Sequence, residues 1–257
     1  MTYSIQMVRT GEVEVPAPEV YWMSRFHEWT RLEFQIAVIR GGGATIVLNT
    51  GFPEDISALA AGWKQALGER GVLHRPEECK PRIALPGIGV DPGKVDYVLI
   101  SPIQLYATGN LDLFPNARYG MSRRGWIEDI IAPTYPHHVR REFCISDEHF
   151  FSLLGPWKDR LLLLDDVHEL LPGITCRWIG VHHRSSFALE VETTKGKVIF
   201  SDCAFHYANI EEGCPLGIAE SIIEAHASYT YIRQEADIFV PLYDPELWNR
   251  HPDGTIA

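Results

Sequence analysis

The stretch Asp96-Tyr97-Val98-Leu99-Ile100-Ser101-Pro102-Ile103-Gln104-Leu105-Tyr106-Ala107-Thr108-Gly109-Asn110 decides how this chain is read. Residues 95–100 form a short, continuous apolar run, the pattern of a buried strand. Polar and turn-forming residues follow at once: Ser101, Pro102, Gln104, Tyr106 and a Gly109-Asn110 pair.

Working outward, residues 34–40 are β-branched and apolar, Gly41-Gly42-Gly43 turns the chain, and residues 44–49 return, which predicts a hairpin. The glycine triplet reads as a tight turn and not as a phosphate cradle, because no helix starts directly behind it. Ile56, Leu59, Ala60, Trp63 and Leu67 keep helical spacing. Residues 71–94 are rich in Pro and Gly and read as a loop.

Residues 161–164, four leucines, are taken to open a second half. Pro172-Gly173 is a turn between strands; residues 174–179, 187–193 and 198–201 read as strands, residues 218–233 as a helix and residues 238–241 as the last strand. Each half is strands followed by a helix. That pattern by itself predicts an α/β (α+β) fold, as one domain over residues 1–257.

The bulk properties narrow the function. The chain has 257 residues, 46% hydrophobic and 22% charged, the balance of an ordinary globule. A formal net charge of −11 argues against nucleic acid or an anionic membrane as partner. Five scattered cysteines without a Cys-x-x-Cys argue against a disulfide framework, and the first residues lack a basic region followed by an apolar run. A cytoplasmic protein with a small-molecule ligand or substrate, and with a homodimer as a possible assembly, is the expectation.

Over about residues 34–250 the chain resembles the metallo-β-lactamase superfamily, and within it the N-acyl-homoserine lactonase and pyridoxolactonase branch. In that family an apolar strand runs into His-x-His-x-Asp-His and then Gly-Asn. Pro102, Gln104, Tyr106 and Ala107 stand at the four ligand positions here. Residues 47–53 resemble the branch's Ile-Asp-Thr-Gly-x-Pro segment, with Asn49 in place of the aspartate. Residues 180–186 resemble Gly-Gly-His-Thr-Pro-Gly-Ser, which puts His182 on a metal-ligand position, and Asp202 falls on the metal-bridging aspartate. Residues 240–245 resemble the segment carrying the last histidine, where Tyr243 stands. Phe205 occupies the position of the branch's substrate-contacting tyrosine, with Tyr207 two residues on.

The resemblance implies an αββα sandwich of the metallo-β-lactamase type. It also implies a lactonase-like hydrolase relative acting on a small ester, lactone or acyl compound. Two of seven ligand positions are retained, whereas a tight zinc site takes about three or four protein ligands. No cofactor, or at most one metal ion, is therefore expected.

Three readings of the pocket stand. In the first, His182 oriented by Asp202 is a general base, Tyr106 or Tyr243 donates to a developing oxyanion, and Gln104, Tyr243, Phe205, Tyr207 and His183 contact substrate. In the second, the pocket belongs to a non-catalytic, small-molecule-binding pseudoenzyme. In the third, His182, Asp202, Tyr106 and Tyr243 hold one metal, a ligand set suited to ferric iron. Ser101, Ser185, Ser186 and Ser201 flank these motifs, none within Gly-x-Ser-x-Gly. His137-His138 reads as a solvated pair in a proline-rich loop, and Arg123 and Arg124 as a basic turn or a partner for a substrate carboxylate.

Overall fold

The computed structural model describes residues 2–133 and 143–257. Its framework is two sheets. The first has six strands in the order β1 (Ser4–Pro16), β2 (Trp29–Gly41), β3 (Ala44–Leu48), β4 (Tyr97–Ile100), β5 (Arg118–Ser122), β6 (Leu161–Leu164). The second runs β11 (Ile238–Pro241), β10 (Gly196–Ser201), β9 (Phe187–Thr193), β8 (Ile174–Trp178), β7 (Val167–Leu171). The hairpin expected around the glycine triplet is β2–β3, antiparallel with Ala37 opposite Leu48 and Gly41 opposite Ala44. From β3 to β6 the pairing is parallel.

Successive side chains on a strand face opposite ways, and the two cores follow that alternation. Ile46, Leu48, Leu99, Ala37 and Ile39 point into the core that also holds Leu189, Val191 and Phe200 of the second sheet. Val47, Val98, Ile100, Ile36 and Val38 point the other way, onto Leu85 of the helix Pro81–Gly87 and Leu153 of the helix Asp147–Leu154. This is why residues 97–100 carry no polar alternation: β4 is covered on both faces. The helix Ile222–Glu235 packs Ala225, Tyr229 and Ile232 against the first of these cores, at helical spacing. The αββα arrangement is the one expected.

Three local expectations change, and one strand is new. Leu161–Leu164 does not open the second half; it pairs in parallel with β5 and closes the first sheet. Its apolar run marks a strand but nothing in it marks which sheet, because a parallel partner is chosen by the connections of the fold. Residues 71–94 contain the helix Pro81–Gly87, started by Pro81 in its first turn and anchored by buried Leu85. β1, for which the sequence offered no expectation, is a 13-residue edge strand along β2. The helix expected from residue 218 starts at Ile222, and residues 217–221 instead form a strap over the site. Among the described residues no helix is long and apolar enough to cross a membrane.

Candidate functional site

The site lies at the ends of β4, β9 and β10, and much of the quoted motif serves to build its frame. Asn49 adopts a left-handed backbone (φ 66°), which asparagine tolerates. From there its side chain donates to Ser101 O at 2.8 Å and accepts from Ser101 N at 2.9 Å. Thr50 Oγ1 donates to Ala107 O at 2.8 Å, and Asn110 Nδ2 donates to Thr50 O and Phe52 O. Gly109 sits so close to the opposite loop that a Cβ would lie 2.2 Å from Pro53 N. Asn49, Thr50, Gly109 and Asn110 therefore clamp two loops together.

On that frame stands an uncharged polar cluster. Tyr106 Oη and His182 Nε2 are 3.2 Å apart, and His182 Nδ1 is 2.8 Å from Ile218 O. A carbonyl only accepts, so Nδ1 carries the proton and Nε2 accepts from the tyrosine. Burial, and then His183 beside it, push the His182 pKa well below its ordinary value, so the ring is neutral. Burial likewise pushes Tyr106 and Tyr243 well above theirs. Tyr243 packs edge-on against Tyr106 (5.8 Å between centroids) and Phe205 (4.6 Å). Its buried hydroxyl lies near that of Tyr106 without a well-formed hydrogen bond.

Asp202 is fully buried behind this cluster. Ser186 Oγ donates to its Oδ2 at 2.7 Å, and Ser101 Oγ lies 3.4 Å from Oδ1. Burial is the largest influence on it and raises its pKa to about 6. The expected orientation of His182 by Asp202 is not what the structure contains: the two share no hydrogen bond or ion pair. A backbone carbonyl and a phenol satisfy His182, and two serine hydroxyls satisfy Asp202.

A different histidine has a carboxylate partner. His183 Nδ1 lies 3.0 Å from Glu220 Oε1, and Arg184 Nε donates to Glu220 Oε2 at 3.3 Å. Arg184 is in turn held by Glu224 through bonds of 2.9 and 2.7 Å. Just before these residues Val181 has φ 70°, a strained backbone for a β-branched residue that costs on the order of 1–3 kcal/mol. Bonds from Val181 N to Glu224 Oε2 and from Ser221 N to Val181 O hold it there.

These groups face a cavity of about 780 Å³. Its floor and rim include Gln104, Tyr106, Tyr243, Phe205, His182, His183 and Glu220; its walls are Val13, Val15, Leu32 and Phe34 from β1 and β2, and Leu59, Trp63 and Leu67 from the helix Ser57–Leu67. The walls were missed from sequence. Leu59, Trp63 and Leu67 stand four apart, and that spacing signalled a helical apolar face, though not that the face lines a cavity. Of the expected substrate contacts, Tyr207 falls elsewhere: it starts the helix Tyr207–Glu212 and packs against Phe239 and Arg250. Its position at a helix start turns the ring onto β11. Arg123 and Arg124 pair with Asp165 and Asp166 on the surface. His137 and His138 lie outside the described residues.

Among the described residues the donors at this site do not fit a dinuclear metal centre. Pro102 and Ala107 have no side-chain ligand atom, both nitrogens of His182 are engaged, Asp202 is turned to serines, and the phenols are neutral. Among the described residues no group of three or more His, Cys, Asp or Glu is placed to hold a metal ion.

No protein-family model and no curated protein matches the chain. Solved structures do. An N-acyl homoserine lactone hydrolase, with the product N-hexanoyl-L-homoserine at its catalytic metal centre, superposes with a TM-score of 0.79 at 17% identity, covering 97% of each chain. A probable metal-dependent hydrolase from Staphylococcus aureus gives 0.72 at 16% identity, over 94% of this chain and 89% of that one. The hydrolase AbOPH of the beta-lactamase superfamily gives 0.65 at 11% identity, over 95% and 87%. The chain has the metallo-β-lactamase fold.

Proposed function

We propose that the chain acts, without a dinuclear zinc centre, on a small and mainly apolar ester, lactone or other acyl compound. The observation that carries this reading is the division of the cavity: apolar walls from β1, β2 and the helix Ser57–Leu67, and an uncharged hydrogen-bonding floor of Tyr106, His182 and Tyr243. An alkyl tail along the walls contributes about 0.8 kcal/mol per buried CH₂. A carbonyl oxygen suits the floor, where neutral phenols donate. A carboxylate does not, because among the described residues no cation lines the floor and Glu220 stands at the rim. The fold is one whose solved members include hydrolases of acyl homoserine lactones, which supports the acyl class by analogy.

Metal analysis and turnover test this together. Protein purified without chelator is expected to carry well below two equivalents of metal and to hydrolyse p-nitrophenyl hexanoate at a rate unchanged by EDTA. Two tightly held zinc ions would overturn the reading. A second reading, a binding protein without turnover, draws on the full engagement of His182 and the burial of Asp202. Saturable binding of an uncharged hexanoyl lactone with no hydrolysis would decide for it.

A further inference from the structure

We propose that His183, oriented by Glu220, is the general base of this site, in place of the neighbouring His182. The inference rests on the hydrolytic reading above. His182 cannot serve in the arrangement found: its Nδ1–H is given to Ile218 O and its Nε2 already accepts from Tyr106. His183 is built differently. Its Nδ1 donates to Glu220 Oε1 at 3.0 Å, which fixes the tautomer and leaves the Nε2 lone pair without a hydrogen-bond partner among the described residues. Both His183 and Glu220 line the cavity.

Glu220 is positioned in its turn. Arg184, 4% exposed, donates to its other oxygen and is anchored by two bonds to Glu224. A base held by a carboxylate that is itself oriented is the arrangement acyl transfer requires. The backbone is bent to produce it. Val181 is held in a left-handed conformation, and the strap of residues 217–221 brings Glu220 onto His183 through bonds from Glu220 N to His182 O and from Ser221 N to Val181 O. The strap also explains His182, since Ile218 O belongs to it.

The step balances with water as co-reactant. His183 Nε2 takes a proton from water as the water oxygen bonds to the acyl carbon, and the acyl oxygen takes the negative charge. On collapse the bond from that carbon to the leaving alkoxide breaks, and the imidazolium returns its proton to the alkoxide. The Tyr243 hydroxyl, which has no well-formed hydrogen bond in the resting site, donates to the acyl oxygen and stabilises the charge, while Tyr106 stays on His182 Nε2.

The test uses the intact chain and p-nitrophenyl hexanoate. His183→Gln is expected to lower kcat at least ~100-fold, with KM within about threefold and an unchanged thermal transition. Glu220→Gln is expected to lower kcat about tenfold with KM held, as for a positioning residue. Added imidazole is expected to restore part of the activity of His183→Ala. The wild-type enzyme is expected to show a solvent deuterium isotope effect on kcat of about two, a readout that needs no variant. Wild-type turnover with no isotope effect, or with kcat retained within about threefold in a folded His183→Gln, would overturn the assignment to His183 and leave the hydrolytic reading standing. No wild-type turnover would overturn both.

Discussion

Tyr106 Oη stands 3.2 Å from His182 Nε2, and this bond joins the segment after β4 to the loop before β9 across the floor of the cavity. It is made between two neutral groups, a phenol and an Nδ1–H imidazole, at two positions that the family resemblance assigns to metal ligands. Its consequences can be measured.

Tyr106→Phe keeps the ring packing against Phe34 and Tyr243 but leaves His182 Nε2 buried without a donor. An orphaned buried acceptor costs about 1–3 kcal/mol. Chemical denaturation should show a loss in that range, and affinity for an uncharged acyl ligand should fall. An unchanged midpoint with unchanged affinity would mean that the bond does not form in solution.

Asp202 gives the protein a pH dependence of definite sign. Its folded pKa of about 6 lies above the ordinary carboxylate value, so the folded state binds the proton more tightly than the unfolded state. The stability this contributes is fully present below about pH 4 and is lost as pH rises through 6. Two pKa units correspond to roughly 3 kcal/mol. Asp202→Asn should therefore gain stability relative to wild type as pH rises from 4 to 7, by an amount of that order. Denaturation midpoints of the two proteins across that range check it; parallel curves would refute it.

Gly109 has no room for a side chain, since a Cβ would fall 2.2 Å from Pro53 N and 2.4 Å from Phe52 C. Both are backbone atoms that cannot step aside. Gly109→Ala should cost about 3 kcal/mol or more by forcing the two clamped loops apart. The fall in melting temperature should exceed that of an alanine placed at exposed Gly87, where no atom stands within 4 Å.

Phe34 is the hub of the aromatic wall, with ring contacts to Phe52, Trp63, Tyr106 and Tyr243 at 4.8–5.6 Å. Phe34→Ala should cost about 3–5 kcal/mol. It should also enlarge the cavity, so that the preferred acyl chain lengthens across a series of p-nitrophenyl esters. A preference that does not move would place the tail elsewhere.

Much of the frame was legible in the sequence because its signals are local. The alternation in β2 and β3, the unbroken run in β4 and the four-residue spacing of Leu59, Trp63 and Leu67 each follow from which side of one element faces a core. The helix Pro81–Gly87 was hidden because proline and glycine mark loops on average, while here Pro81 occupies the first helical turn, where a missing N–H costs nothing. Most of the expected floor, Gln104, Tyr106, His182, Phe205 and Tyr243, does line one cavity. Tyr207 does not, because two residues of spacing carry it to a helix start, where its ring packs against Phe239 of β11.

The sequence by itself determined the strand and hairpin frame and the residue types at the seven positions that the resemblance assigns to metal ligands. Those are properties of single segments. Only the tertiary structure decided the pairings. That His182 would spend its two nitrogens on Tyr106 and Ile218, that Asp202 would turn to Ser186, and that His183 would take Glu220, each depends on segments 16 to 76 residues apart. Hydrogen bonding is short-ranged and directional, so which donor meets which acceptor is fixed by where the backbone carries them. Here the strap of residues 217–221 brings Ile218 O to His182 and Glu220 to His183.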